Sequence, residues 1–85
     1  MPKIEIYTTS FCPFCHAAKR LLNQKGASFF EISLTDEPHL RERMVDRASG
    51  SRSVPQIFIN DTHIGGCDDL YTLDAQGGLD LLLGS

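Results

Sequence analysis

Cys12 and Cys15 stand three residues apart in the run Cys12-Pro13-Phe14-Cys15. A β-prone stretch, Ile4-Glu5-Ile6-Tyr7, precedes them, and an amphipathic stretch from His16 to Gln24 follows. A C-x-x-C pair at a strand-to-helix junction is the pattern of thiol–disulfide redox chemistry. With Cys12 at the N-cap, Pro13 falls at N1, where a missing N–H costs nothing. The Cys12 sulfur then faces unpaired backbone N–H groups and the positive end of the helix dipole, and both favour the thiolate. Cys15, one turn on, lies on the same side of the helix, within disulfide reach but away from those donors. This asymmetry predicts that Cys12 attacks and that Cys15, the more buried of the two, resolves the mixed disulfide.

Two blander readings of the pair compete. As a structural staple, the ring closed by Cys12 and Cys15 would contribute only about 2 kcal/mol, against about 3 for a 15-residue loop. As half of a zinc site, the pair would need two more ligands from Cys67, His16, His39 and His63, and no second C-x-x-C or H-x₃-H is present. No metal is therefore expected. His16, next to Cys15, reads as a solvated helix residue, because no acyl-transfer constellation accompanies it. Lys19 and Arg20 read as ordinary solvated helix residues.

The remaining composition narrows the classes. Eighty-five residues suffice for one domain, residues 1–85, and 41% hydrophobic residues supply a core. A domain of this size buries roughly 60–65% of its unfolded surface, so modest stability is expected. The net charge is −3 without a basic face, which argues against a nucleic-acid partner. Met1-Pro2-Lys3 runs straight into a strand, and no apolar run is long enough to span a membrane, so a cytoplasmic protein is expected.

The elements that must position the cysteines follow from periodicity and turn chemistry. Residues 3–7 predict a strand, and residues 13–25 a helix stopped by Gly26. Residues 28–34 predict a second strand, parallel to the first. A second helix is expected after a Thr35 or Asp36 cap, with Glu37 and Pro38 in its first turn and Gly50 ending it. Gln56–Ile59 and Thr62–Ile64 predict a hairpin turning at Asn60-Asp61. Gly65-Gly66 breaks the last strand. Cys67 opens a third helix running to about Gln76, and Leu79 to Leu83 adds one or two further turns. The order implies an α/β fold, one mixed four-stranded sheet (βαβ plus β-hairpin) flanked by three to four helices.

Three segments together carry a family resemblance. Cys12-Pro13-Phe14-Cys15, Ser53-Val54-Pro55 and Gly65-Gly66-Cys67-Asp68-Asp69 resemble the C-P-[YF]-C, T-V-P and G-G-C-D-D signatures of dithiol glutaredoxins of the short bacterial type. The likeness runs through the whole chain. It implies a thioredoxin fold, glutathione as reducing co-substrate with no tightly bound cofactor, and a monomer serving disulfide-bonded or glutathionylated client proteins. It also implies a cis Val54–Pro55 bond, whose Val54 backbone pairs with the cysteinyl part of glutathione like an added strand. The backbone N–H groups of Cys67 and Asp68 suit the γ-glutamyl carboxylate, and the carboxylate of Asp68 or Asp69 suits its ammonium. Gly66 permits close approach. Plain helix capping by Asp68 or Asp69 is the competing role.

The resemblance has departures. Thr9 stands where a lysine is common, so Arg52 is the expected partner of the glycyl carboxylate, and weaker glutathione binding is expected. Ser53 stands for threonine. Phe14 stands for tyrosine, able to pack on the ligand but not to donate a hydrogen bond. Cys67 is expected to present its backbone to the ligand and to keep a semi-exposed free thiol. Two rival functions remain open on sequence alone: a thioredoxin-like enzyme served by a reductase protein, and a dimer sharing a [2Fe–2S] cluster, which Pro13 disfavours.

Overall fold

Alternation along two central strands divides the core in two. In β1 (Ile4–Thr8), Ile4 and Ile6 join one apolar cluster and Tyr7 joins another. In β3 (Gln56–Ile59), Ile57 and Ile59 join the first and Phe58 the second. Successive strand side chains point to opposite faces, so these strands need cover on both. The computed structural model describes residues 2–84, and Met1 and Ser85, the ends of the expected domain, lie outside the described residues.

The sheet is the mixed four-stranded one expected, in the order β2-β1-β3-β4. β1 is parallel to β2 (Phe30–Ser33) and antiparallel to β3, and β3 is antiparallel to β4 (Thr62–Gly65). Asn60 and Asp61 take φ values of 50° and 66°, the left-handed conformation that a tight hairpin turn demands. Helix α1 (Pro13–Gln24) buries Ala18, Leu21 and Leu22 against Ile4, Ile6, Ile57 and Ile59. It ends at Gly26 (φ 70°), where the Ala27 and Gly26 N–H groups donate to Leu22 and Asn23 carbonyls in a Schellman closure. Leu70 of α3 (Cys67–Ala75) and Leu79 of α4 (Gly78–Leu83) complete that face. On the other face, α2 (Arg41–Arg47) brings Met44 onto Tyr7 and Phe58. Among the described residues no helix is long and apolar enough to cross a membrane.

Two expected boundaries shift. The second strand begins at Phe30 rather than residue 28, because pairing with β1 starts at Glu5 opposite Phe30. The second helix has no side-chain cap from Thr35 or Asp36. Thr35 Oγ1 instead accepts the Ser10 N–H at 3.0 Å, and the Asp36 N–H donates to Ser33 Oγ at 3.3 Å. Glu37 precedes a proline and is held out of the helical region (φ −130°, ψ 70°). The first turn is accordingly a 3₁₀ turn, Pro38–Leu40, and the α-helix starts only at Arg41.

Arg47 ties α2 to the sheet. Its guanidinium bonds Glu5 Oε1 at 2.8 Å and the Tyr7 hydroxyl at 2.9 Å, and lies 4.1 Å from the centre of the Phe58 ring. A half-buried cation holding a carboxylate, a phenol and a ring face is worth more than a surface pair. Replacing Arg47 with Met should lower the unfolding free energy by about 2 kcal/mol in urea titrations, with Arg47→Lys losing less. A loss within error of zero for Arg47→Met would show that the cluster does not hold α2.

Candidate functional site

The site begins where β1 hands the chain to α1. Cys12 takes extended dihedrals (φ −124°, ψ 102°) at the N-cap, with Pro13 in the first turn. Its sulfur accepts the Cys15 backbone N–H at 3.1 Å, the side-chain-to-backbone bond that defines a cap. The Cys12 thiol also points at the Val54 carbonyl, 3.8 Å away. Both cysteines are free thiols. Cys12 keeps 8% of its surface exposed and Cys15 none, so the expected order of burial holds. The Cys15 thiol is pushed up to about 12, first by burial and next by its hydrogen bond with Cys12, with a contact to the Thr9 backbone pulling the other way. The pair is therefore chemically unequal: one sulfur is presented at a helix start, and the other holds its proton in the core.

A groove of about 300 Å³ opens beside the cysteines. Phe14, Ser53, Val54, Pro55, Gly66, Cys67 and Asp68 line it, as do Ser51, Gln56, His63, Gly65 and Asp69. The Val54–Pro55 bond is cis, as the resemblance implied. At the start of α3, Asp69 Oδ2 accepts the Gly66 N–H at 2.9 Å. Asp69 thus takes the capping role, and Asp68, exposed on the groove wall, is not engaged in it. Gly65 has φ 119°, and a Cβ there would run into the Asp69 carboxylate. The conformational demand for glycine therefore falls on Gly65, while Gly66 keeps an ordinary extended backbone (φ −92°).

One expectation needs correction, and one residue stands apart from the groove. Cys67 is buried, at 7% exposure, rather than semi-exposed, because its side chain packs into the cluster with Leu70 and Ile57. Burial, and then the charge of Asp68, raise its pKa. Arg52 is not among the residues lining the groove; its guanidinium pairs with Glu42 at 3.0 Å on the outer surface. Thr9 lines a separate cleft with Thr8, Ser10 and His16. His16 is exposed, as expected. The Thr8 hydroxyl donates to Glu31 Oε2 at 2.7 Å, and with the Lys19 pair at 2.9 Å this holds the Glu31 carboxyl below its usual range.

The groove wall contains a network that sequence reasoning missed. The Gln56 amide is buried, at 3% exposure, and its nitrogen donates to Ser51 Oγ (3.0 Å) and the Ser53 carbonyl (3.1 Å). Its oxygen therefore faces His63 Nε2 at 2.7 Å, so His63 is the donor there. His63 stacks on Phe58, ring centres 5.1 Å apart. The available signal was a glutamine heading an otherwise apolar central strand, since buried polar residues come with partners.

The glutaredoxin family model matches residues 4–64 of the chain. The chain is 58% identical over 83 residues to Glutaredoxin 3 of Escherichia coli K12, covering 98% of this chain and 99% of that protein. The solution structure of glutaredoxin from Brucella melitensis matches with a TM-score of 0.82 at 52% identity, over 95% of this chain and 87% of that one. The crystal structure of a buckwheat glutaredoxin–glutathione complex matches with a TM-score of 0.87 at 29% identity, over 98% of this chain and 77% of that one. The sheet and helices are those of the thioredoxin fold.

The raised Cys15 thiol predicts a pH dependence of stability in the reduced protein. Between the ordinary value near 9 and about 12, the folded state holds a proton that the unfolded state has lost. The contribution is complete below about pH 9 and drains away as pH rises, by up to about 1.4 kcal/mol per pH unit. Urea unfolding at mildly and strongly alkaline pH should show reduced wild type losing more stability than Cys15→Ser. Parallel curves would mean that burial does not hold the proton.

Proposed function

The chain belongs to the glutaredoxin family and is a glutathione-dependent thiol–disulfide oxidoreductase, and from that premise we propose how its residues divide the reaction. The observation that carries this reading is the Cys12 sulfur, an acceptor of the Cys15 N–H lying against the carbonyl of Val54 in the groove wall.

Cys12 thiolate attacks a client disulfide, forming a Cys12–client disulfide and expelling the client's other sulfur as a thiolate. Two of the influences that keep Cys15 protonated come from Cys12 itself, its hydrogen bond and its charge. Both end when the Cys12 sulfur becomes part of a disulfide. Cys15 then gives up its proton and attacks the Cys12 sulfur, closing Cys12–Cys15 and releasing the reduced client. One glutathione thiolate reopens that bond as a Cys12–glutathione disulfide. A second takes the glutathionyl group, leaving glutathione disulfide and Cys12 thiolate. Two electrons pass from two glutathiones to one client disulfide. A glutathionylated client enters at the Cys12–glutathione stage, with its own thiolate as leaving group.

The groove suits glutathione piece by piece. Once Cys12 loses its proton, the Val54 carbonyl is released from the thiol and accepts the cysteinyl N–H. The free N–H groups of Cys67 and Asp68 meet the γ-glutamyl carboxylate, and Asp68 meets the ammonium. Phe14, 62% exposed, packs along the ligand, and Ser53, Pro55 and Gly66 shape its bed. Arg52 reaches the glycyl carboxylate by exchanging Glu42 for it; a pair as exposed as Arg52–Glu42 costs little to open. With threonine at position 9, glutathione binds more weakly than in relatives carrying lysine there. We further infer a monomer, one domain across residues 1–85, working on protein clients in the cytoplasm, where the glutathione poise of about −220 to −260 mV overlaps the glutaredoxin range of about −200 to −230 mV.

Glutathione-dependent reduction of a small mixed disulfide, coupled to glutathione reductase, tests the scheme. Cys12→Ser should abolish turnover, Cys15→Ser should keep much of it, and Asp68→Asn should raise the KM for glutathione about tenfold with a smaller change in kcat. Activity surviving in Cys12→Ser would assign the nucleophile wrongly. An unchanged KM in Asp68→Asn would remove Asp68 from the ligand site.

A further inference from the structure

Phe11 is 98% exposed, the most exposed large apolar side chain described, and it immediately precedes the nucleophile. It belongs to neither core cluster, and it does not line the groove that suits glutathione, whereas Phe14 does. Its loop is tied down, because the Ser10 N–H donates to Thr35 Oγ1 at 3.0 Å. An aromatic ring held in water at the mouth of a reactive site has neither a folding role nor a glutathione role to explain it.

The chemistry says what covers it. When Cys12 thiolate attacks a client disulfide, one Cys12–client S–S bond forms, the client S–S bond breaks, and the second client sulfur leaves as a thiolate. A disulfide brings the two Cα atoms to within roughly 4.4–6.8 Å. Phe11 is one Cα step, about 3.8 Å, further along. The residues flanking the client's cysteine must then pass within reach of the ring, while glutathione lies on the Phe14 side.

We propose that Phe11 is a specificity-determining contact for protein clients, packing against an aliphatic or aromatic side chain next to the client's reacting cysteine. This rests on the reading of Cys12 as nucleophile. Apolar contact at the covalent junction raises the rate of capture for clients carrying such a neighbour and leaves small disulfides unaffected.

The test compares wild type, Phe11→Ser and Phe11→Leu on three probes: a disulfide-linked dimer of a short peptide with leucine beside its cysteine, the same dimer with serine there, and the hydroxyethyl–glutathione mixed disulfide. Phe11→Ser should lower kcat/KM on the leucine dimer about fivefold and change it less than about twofold on the other two, and Phe11→Leu should recover most of the loss. Thermal unfolding of the variants should match wild type. Equal losses on all three probes, or no loss on the leucine dimer, overturn the proposal. If wild type fails on the small mixed disulfide as well, the reading of Cys12 fails, and the two failures are thereby told apart.

Discussion

The hydrogen bond from the Cys15 N–H to the Cys12 sulfur is the constraint around which this molecule is arranged. It exists only if the chain leaves β1 in an extended conformation and enters α1 at once, with proline taking the position that needs no donor. α1 in turn is fixed by burying Ala18, Leu21 and Leu22 on the sheet, so the position of the sulfur is set by the core. The same first turn sends Cys15 inward, to full burial. One helix start thus produces a sulfur that keeps some surface and is supplied with a donor, and a second sulfur fully buried and deprived of water. The difference between them needs no third catalytic group.

The groove depends on a second helix start built by a different device. α3 begins on glycine, and Asp69 turns back to cap it, which crowds Gly65 and leaves Asp68 facing the groove. Two adjacent carboxylates with near-identical local sequence therefore have separate tasks, one structural and one available to a ligand. Opposite them, the loop before Pro55 is held by Gln56. Both walls are fixed by hydrogen bonds internal to the fold, so the groove is formed before anything enters it.

The sequence was most legible where chemistry and local geometry coincide. Cys12, Pro13 and Cys15 announced both the helix start and the inequality of the thiols. Asn60-Asp61 announced the hairpin, and the order of elements announced a mixed sheet flanked by helices. What stayed hidden depends on distant partners. Thr35 looked like a cap, but its hydroxyl serves the Ser10 N–H across the fold. Cys67 looked half exposed because nothing local shows that its sulfur packs beside Ile57 and Leu70. Arg52 looked unpaired because its partner, Glu42, lies ten positions away on another element. Pairings of this kind are made by topology, which periodicity does not encode.

The Gln56–His63 bond has a consequence for how the protein meets acid. Because the glutamine nitrogen is already spent on Ser51 and Ser53, the imidazole must be the donor, and it donates through the same nitrogen whether the ring is neutral or charged. Most histidines at a binding surface make it sensitive to acidification, since gaining a proton destroys an acceptor. Here the nitrogen that would gain the proton is not the one holding the wall. The Gln56 side of the groove is therefore held by a bond whose donor is the same in either charge state of the ring.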